Sequence, residues 1–231
     1  MLKKGYKFQL LQCCLIIILV VLFNGCTSKE YSSGEVSGPP IEAKKIVFLG
    51  FKPALSPGKA PALFTNPLSG ATVRSEPVTK SEADSMSDLL YTLLADSKDY
   101  DIVNLREIKN LTDPALYEKS SSDGIKIIQA IGKAVSADVA ITGYIYRMHK
   151  REGTDYSVVS PASVSFDVCI VRVKDGSFLW KGSFDQTQKS LSENLLEIKS
   201  FLKFKGKWVD VDKLAEIGME KLVAEMPLKN K

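Results

Sequence analysis

Residues 15–23 form an uninterrupted apolar run, with Lys3, Lys4 and Lys7 before it and Asn24-Gly25-Cys26 after it, and this run decides which residues remain to build a fold. A membrane-spanning helix needs roughly 20 apolar residues. Even counted back to Phe8 through Gln12 the stretch is short, so it is expected to be cut off after export rather than kept as a span. The lysines hold the amino end on the cytoplasmic side while the apolar segment enters the bilayer. The fold must be made from residue 26 onward.

Leu22-Phe23-Asn24-Gly25-Cys26 resembles a bacterial lipobox, with Phe23 where a leucine is commoner. The resemblance implies that residues 1–25 are a lipoprotein signal peptide and that Cys26 is the lipid-attachment residue, acylated with palmitate-type chains. The alternative is an ordinary secretory signal cut near Gly25 or Thr27, which would leave Cys26 a bare thiol. An exposed thiol in an oxidising compartment is a liability, which favours lipid. Thr27 stands where an aspartate would direct inner-membrane retention in many Gram-negative bacteria, so the expected location is the outer membrane, facing the periplasm. Residues 26–43, rich in Ser, Gly and Glu with Pro39-Pro40, read as a flexible tether. Residues 44–228 suffice for one well-packed domain.

Several functions are set aside by composition. Losing the first 25 residues lowers the basic count from 31 to 28, against 27 acidic residues, so the mature chain is nearly neutral and offers no electrostatic footprint for nucleic acid. Cys13 and Cys14 leave with the signal, so no intramolecular disulfide is expected, and Cys169, within an alternating apolar segment, reads as a small core residue. The single histidine, His149, runs into the charged turn Lys150-Arg151-Glu152-Gly153 and is expected to be solvated. No nucleophile elbow flanks it. Zinc lacks ligands, and a calcium loop lacks its alternating Asp/Asn pattern. Gly50-Phe51-Lys52-Pro53 lacks the second glycine and helix start of a phosphate loop. The chain is therefore expected to be no enzyme, with no catalytic residues, metal or cofactor.

Ile46-Val47-Phe48-Leu49 within 45–51 predicts a central strand buried on both faces. Residues 52–80 carry Pro53, Pro57, Pro61, Pro67 and Pro77, which argue against a regular ladder. A long loop is expected there, either packed and partner-binding through Leu55, Leu63, Phe64 and Leu68 or solvated. Thr79 and Glu82 have capping-box spacing, and Met86, Leu89, Leu90, Leu93 and Leu94 then recur at helical spacing, giving a helix over 81–97. A strand over 100–105 comes next, then a short helix at 114–119 begun by Asp113-Pro114. A helix after Asp123 presents Ile127, Ile128, Ile131, Ala134 and Val135. Further strands are expected over 139–148 and 156–173, the latter with Phe166, Val168 and Ile170 on one face and Ser165 and Asp167 on a solvated one. Asp175-Gly176 signals a tight antiparallel hairpin into 177–188 with positive φ at both turn residues. Helices over 190–203 and 211–225 complete the order β-α-β-α-α-β-β-β-α-α, an α/β domain with a mixed sheet of about five strands. Trp208 lies in the turn between those two helices, where it packs on the domain or is presented to a partner.

Four segments carry a family likeness: Lys45-Ile46-Val47-Phe48-Leu49-Gly50-Phe51, Tyr100-Asp101-Ile102-Val103, Ala137-Asp138-Val139-Ala140-Ile141-Thr142-Gly143 and Lys174-Asp175-Gly176-Ser177-Phe178-Leu179-Trp180. Together they resemble the lipoprotein fold shared by the curli-secretion lipoprotein CsgG, the penicillin-binding-protein activator LpoB and the TolB N-terminal domain. That resemblance implies architecture first. It further implies a non-enzymatic lipoprotein, held at the membrane by its lipid, whose domain docks onto another envelope protein. The alternative is a subunit or accessory of an oligomeric outer-membrane secretion channel, with the pairing through 139–173 as its inserting hairpin.

Overall fold

The computed structural model describes residues 35–36, 41–95, 100–107, 124–153, 158–188 and 210–228. Cys26 and the helices expected at 114–119 and 190–203, with Trp208, lie outside the described residues.

The strands are β1 (Glu35–Val36), β2 (Lys45–Pro53), β3 (Ala62–Thr65), β4 (Thr72–Ser75), β5 (Asp101–Asn104), β6 (Val139–His149), β7 (Glu152–Gly153), β8 (Val158–Ser160), β9 (Ser163–Arg172) and β10 (Phe178–Thr187). The helices are α1 (Lys80–Ala95), α2 (Gly124–Ala134) and α3 (Val211–Glu225). The main sheet runs β1-β10-β9-β6-β2-β5. β2 pairs parallel with β5 and with β6, whereas β6, β9, β10 and β1 pair antiparallel in turn. This is the expected mixed α/β sheet, its five longer strands edged by the two residues of β1.

Crossover handedness explains the layering. The connection from β2 to β5 through α1 steps one way along the sheet, and the connection from β5 to β6 through α2 steps back the other way, so two right-handed crossovers set their helices on opposite faces. Ala83, Met86, Leu90 and Leu94 of α1 and Leu214, Met219 and Leu222 of α3 share a core with Ile46, Phe48, Ile141, Phe166, Ile170, Trp180 and Phe184. On the other face Ile128 and Ile131 of α2 cover Val47, Leu49, Ala140, Cys169 and Val171.

Local signals set the helix ends. The Glu82 N–H donates to Thr79 Oγ1 at 3.2 Å and the Thr79 N–H to Glu82 Oε2 at 2.8 Å, the reciprocal pair of a capping box. Asp210 caps α3 through its carboxylate on the Val211 N–H. α2 ends in a Schellman turn: Ser136 is left-handed at φ 56, with Ala137 N–H bonded to Gly132 O and Ser136 N–H to Lys133 O. Asp138 comes next, and its carboxylate accepts from the Lys44 and Lys45 N–H groups, fixing where β6 meets β2.

Four expectations are corrected. Residues 52–80 contain an ordered hairpin, because Pro61, Pro67 and Pro77 bracket β3 and β4 and stay out of their ladder. The predicted 156–173 strand breaks at Pro161-Ala162 into β8 and β9. The polar face of β9 is not solvated: Ser163, Ser165 and Asp167 are buried, because the β3–β4 hairpin and α2 cover that side. In the β9–β10 turn only Gly176 has positive φ, and its N–H bonds back to Arg172 O, so the loop is wider than a two-residue turn. Within 26–43, β1 pairs with Lys181 and Trp180, and buried Ile41 bridges to Leu228. β6 and β9 are the middle of the sheet, buried on both faces along most of their length.

Candidate functional site

The element that projects from this frame is the β3–β4 hairpin. It pairs Leu63 with Arg74 and Phe64 with Val73, and its side chains alternate. Leu63 is 73% exposed, while Phe64 turns inward to the rings of Tyr144 and Tyr146, at centroid distances of 5.4 and 6.3 Å. Tyr146 faces the same side as Tyr144 by strand alternation, and the irregularity between Ile145 and Arg147, which puts an extra residue at Tyr146, brings Arg147 to that side as well.

Asn66, fully buried at the end of β3, does two jobs. Its Oδ1 accepts from the Leu68 N–H at 2.8 Å and the Ser69 N–H at 3.2 Å, forming an Asx turn that sends the chain back towards β4. Its Nδ2 donates to Tyr146 Oη and to Asp167 Oδ2, both at 2.8 Å. Tyr146 Oη donates to Asp167 Oδ2 at 2.5 Å, and the Tyr144 N–H donates to Asp167 Oδ1 at 2.9 Å. One buried carboxyl on β9 thus receives three donors from the hairpin and from β6. This polar lock fastens the hairpin to the sheet.

Its electrostatics follow from burial. Removal from water pushes the Asp167 carboxyl above its ordinary range, and the donors from Tyr146, Tyr144 and Asn66 only partly offset that. Burial, together with the nearby Asp167, raises the Tyr146 phenol and pushes Tyr144 up to about 12. The folded state therefore keeps the Asp167 proton to higher pH than the unfolded chain, and stability falls as pH rises from about 3.8 through the raised value. Asp138 and Asp175 act in the opposite sense. Backbone donors from Lys45 and Lys44 lower Asp138, and the Ser177 hydroxyl and N–H hold Asp175 down at about 2, so their contributions are lost as pH falls. Urea unfolding of Asp167→Asn between pH 4 and 8 is expected to give a flatter profile than the parent; parallel profiles would contradict the assignment.

Beyond the hairpin the same face carries a polar ladder. Arg147 Nε donates to Ser163 Oγ at 2.6 Å, Arg147 also pairs with Asp185, and the Ser163 and Thr187 hydroxyls meet at 2.7 Å. His149 is half-buried rather than solvated: Nε2 lies 2.7 Å from Ser160 Oγ and Nδ1 lies 3.9 Å from Glu76 Oε2. The second distance exceeds hydrogen-bond reach, so the carboxylate does not orient the imidazole as a nucleophilic triad requires. Next to the hairpin, Lys52, Leu68, Ile127, Thr142 and Tyr144 line a cleft of about 10 Å³, room for about one water. Among the described residues no group of three His, Cys, Asp or Glu is placed to hold a metal. Cys169 is buried, which raises its thiol.

Sequence reasoning reached Leu63 and Phe64 as loop residues and missed the lock. Its members lie 80 and 101 residues apart along the chain, outside any local pattern.

No protein-family model matches the chain, and no curated protein matches it in sequence. Its fold recurs among solved structures. The PelC dodecamer from Paraburkholderia phytofirmans matches with a TM-score of 0.50 at 10% identity, over 86% of this chain and 99% of that one. Lipoprotein GNA1162 from Neisseria meningitidis matches at 0.38 and 12% identity, over 70% and 96%, and the LpoB C-terminal domain from Escherichia coli at 0.37 and 12%, over 64% and 86%. At the level of fold, the chain is similar to PelC.

Proposed function

We propose that the chain is a non-enzymatic outer-membrane lipoprotein, anchored through acylated Cys26 and facing the periplasm, whose hairpin face docks onto another envelope component. The observation that carries this reading is the lock. Asn66, Tyr146 and Asp167 are committed to holding an otherwise exposed hairpin in one pose, and a pre-organised surface loses less entropy on binding. Anchoring follows from the Cys26 motif, since each buried methylene contributes about 0.8 kcal/mol and several chains add. Cys26→Ser is expected to move the protein from the membrane pellet to the soluble fraction. A cleaved Cys26→Ser protein that stays in the pellet would refute the lipid anchor.

A second reading, a subunit or accessory of an oligomeric outer-membrane secretion assembly, is favoured by the PelC likeness, because that solved structure is a dodecamer. Negative-stain imaging of detergent-extracted protein separates the two: discrete rings support the assembly, and monomers support the docking module.

A further inference from the structure

The β3–β4 hairpin presents backbone as well as side chains. The Asn66 N–H donates to Ala71 O at 2.8 Å, which makes Asn66 and Ala71 a hydrogen-bonded pair of the ladder. Bonded and non-bonded pairs alternate along an antiparallel ladder. Ala62 faces Ser75, Leu63 faces Arg74, Phe64 faces Val73 and Thr65 faces Thr72, so the bonds to β4 fall on Ala62 and Phe64. The N–H and C=O groups of Leu63 and Thr65 therefore point away from β4. β4 runs on into Glu76, whose N–H donates to Tyr146 O on β6, whereas no described strand pairs with the outer edge of β3. An open strand edge is a template for a further strand.

The charge around this edge selects what that strand carries. Leu63, Thr65, Thr72 and Arg74 are all exposed and alternate onto the outer face of the hairpin. Residues 53–75 hold Lys59 and Arg74 and no Asp or Glu. Both cations are exposed, and none of the ion pairs among the described residues uses either. Two hairpins paired edge to edge would bring these like charges together, which disfavours a second copy as the occupant. A bilayer offers negative charge but no row of N–H and C=O groups to fill the edge.

We infer that the outer edge of β3 takes an extended, acidic peptide segment of a protein partner, added to the hairpin as a third strand through the Leu63 and Thr65 backbone groups. An apolar side chain of that segment lies beside Leu63, and its carboxylates meet Arg74 and Lys59. The inference rests on the hairpin-docking reading and gives it a mode: main-chain bonds supply attachment, and alternate side chains supply selection. A lone two-stranded hairpin is marginal in water. The Asn66 lock removes that weakness, because it fastens the ribbon to the sheet before a partner arrives.

The test is photocrosslinking in cells from a photoreactive residue at position 63 of the full chain, in the parent, Thr65→Pro and Thr65→Val backgrounds. Thr65→Pro removes one outward N–H and leaves the bonds to β4 in place, while Thr65→Val keeps that N–H and loses only the hydroxyl that meets Thr72. The adduct is expected to fall about tenfold in Thr65→Pro and to persist in Thr65→Val, because a partner carbonyl is left without its donor. Equal adducts in both would mean contact through side chains alone and overturn the added strand while the docking reading stands. No protein adduct from the parent would overturn both. An adduct joining two copies of this chain would give the edge to a second copy and overturn the inference as well. Mapping decides the matter even if Thr65→Pro loosens the hairpin. Photoreactive residues placed in turn at positions 63 and 65 are expected to label one acidic partner segment at sites about two residues apart. Labels scattered over separate segments would contradict strand pairing. Arg74→Glu is expected to lose the adduct and Arg74→Lys to keep it, and an adduct indifferent to Arg74→Glu would overturn the acidic partner.

Discussion

Asn66→Ala is expected to cost about 2–4 kcal/mol and to free the β3–β4 hairpin while the main sheet persists. The side chain makes four hydrogen bonds, two that build the turn and two that enter the lock. Its loss leaves the buried Asp167 carboxyl short of one donor, and an unsatisfied buried group costs about 1–3 kcal/mol. Against a typical domain stability of about 5–15 kcal/mol, the variant still folds. Urea unfolding gives the energy, and limited proteolysis, with new cuts confined to 56–79, gives the location. Asn66→Asp keeps the turn acceptors but places two carboxyls in one buried site, so its defect is expected to shrink on acidification. A variant as protease-resistant as the parent would mean that the lock does not hold the hairpin.

Gly143→Ala is expected to cost about 3 kcal/mol or more, read as a large drop in melting temperature. A Cβ on Gly143 would lie 2.1 Å from Asp167 O and 2.5 Å from the Phe51 ring. The first neighbour is backbone of the adjacent central strand, so it cannot swing aside as a flexible side-chain tip would. Gly58→Ala is the matched control: nothing lies within 4 Å of its Cβ position, and only its φ of +83 opposes the change, for about 1 kcal/mol. Equal melting temperatures for the two variants would show that the β6–β9 contact yields.

The parts of the fold legible in sequence are those encoded locally. The capping box at Thr79 and Glu82, the apolar run at 46–49 and the Asp175-Gly176 turn each act over a few residues, and each places its element. The prolines of 52–80 mislead for a local reason: they flank strands as readily as they break them, and only the pairing of β3 with β4 shows which. Asp167 and Ser165 read as a wet face because a polar residue on alternate positions of a strand has that meaning when nothing covers the sheet. The cover is a hairpin about 100 residues earlier in the chain. For the same reason the site is half legible. Leu63 and Phe64 are visible as apolar residues in a loop, whereas the Asn66–Tyr146–Asp167 lock depends on two long-range contacts.

The anchored-docking claim is tested most directly by photocrosslinking in cells from a photoreactive residue at position 63, with exposed position 221 on α3 as the control. A discrete adduct from position 63, absent from position 221 and lost when Cys26 is replaced by serine, is the expected result. Equal adducts from both positions, or an adduct indifferent to Cys26, would contradict it.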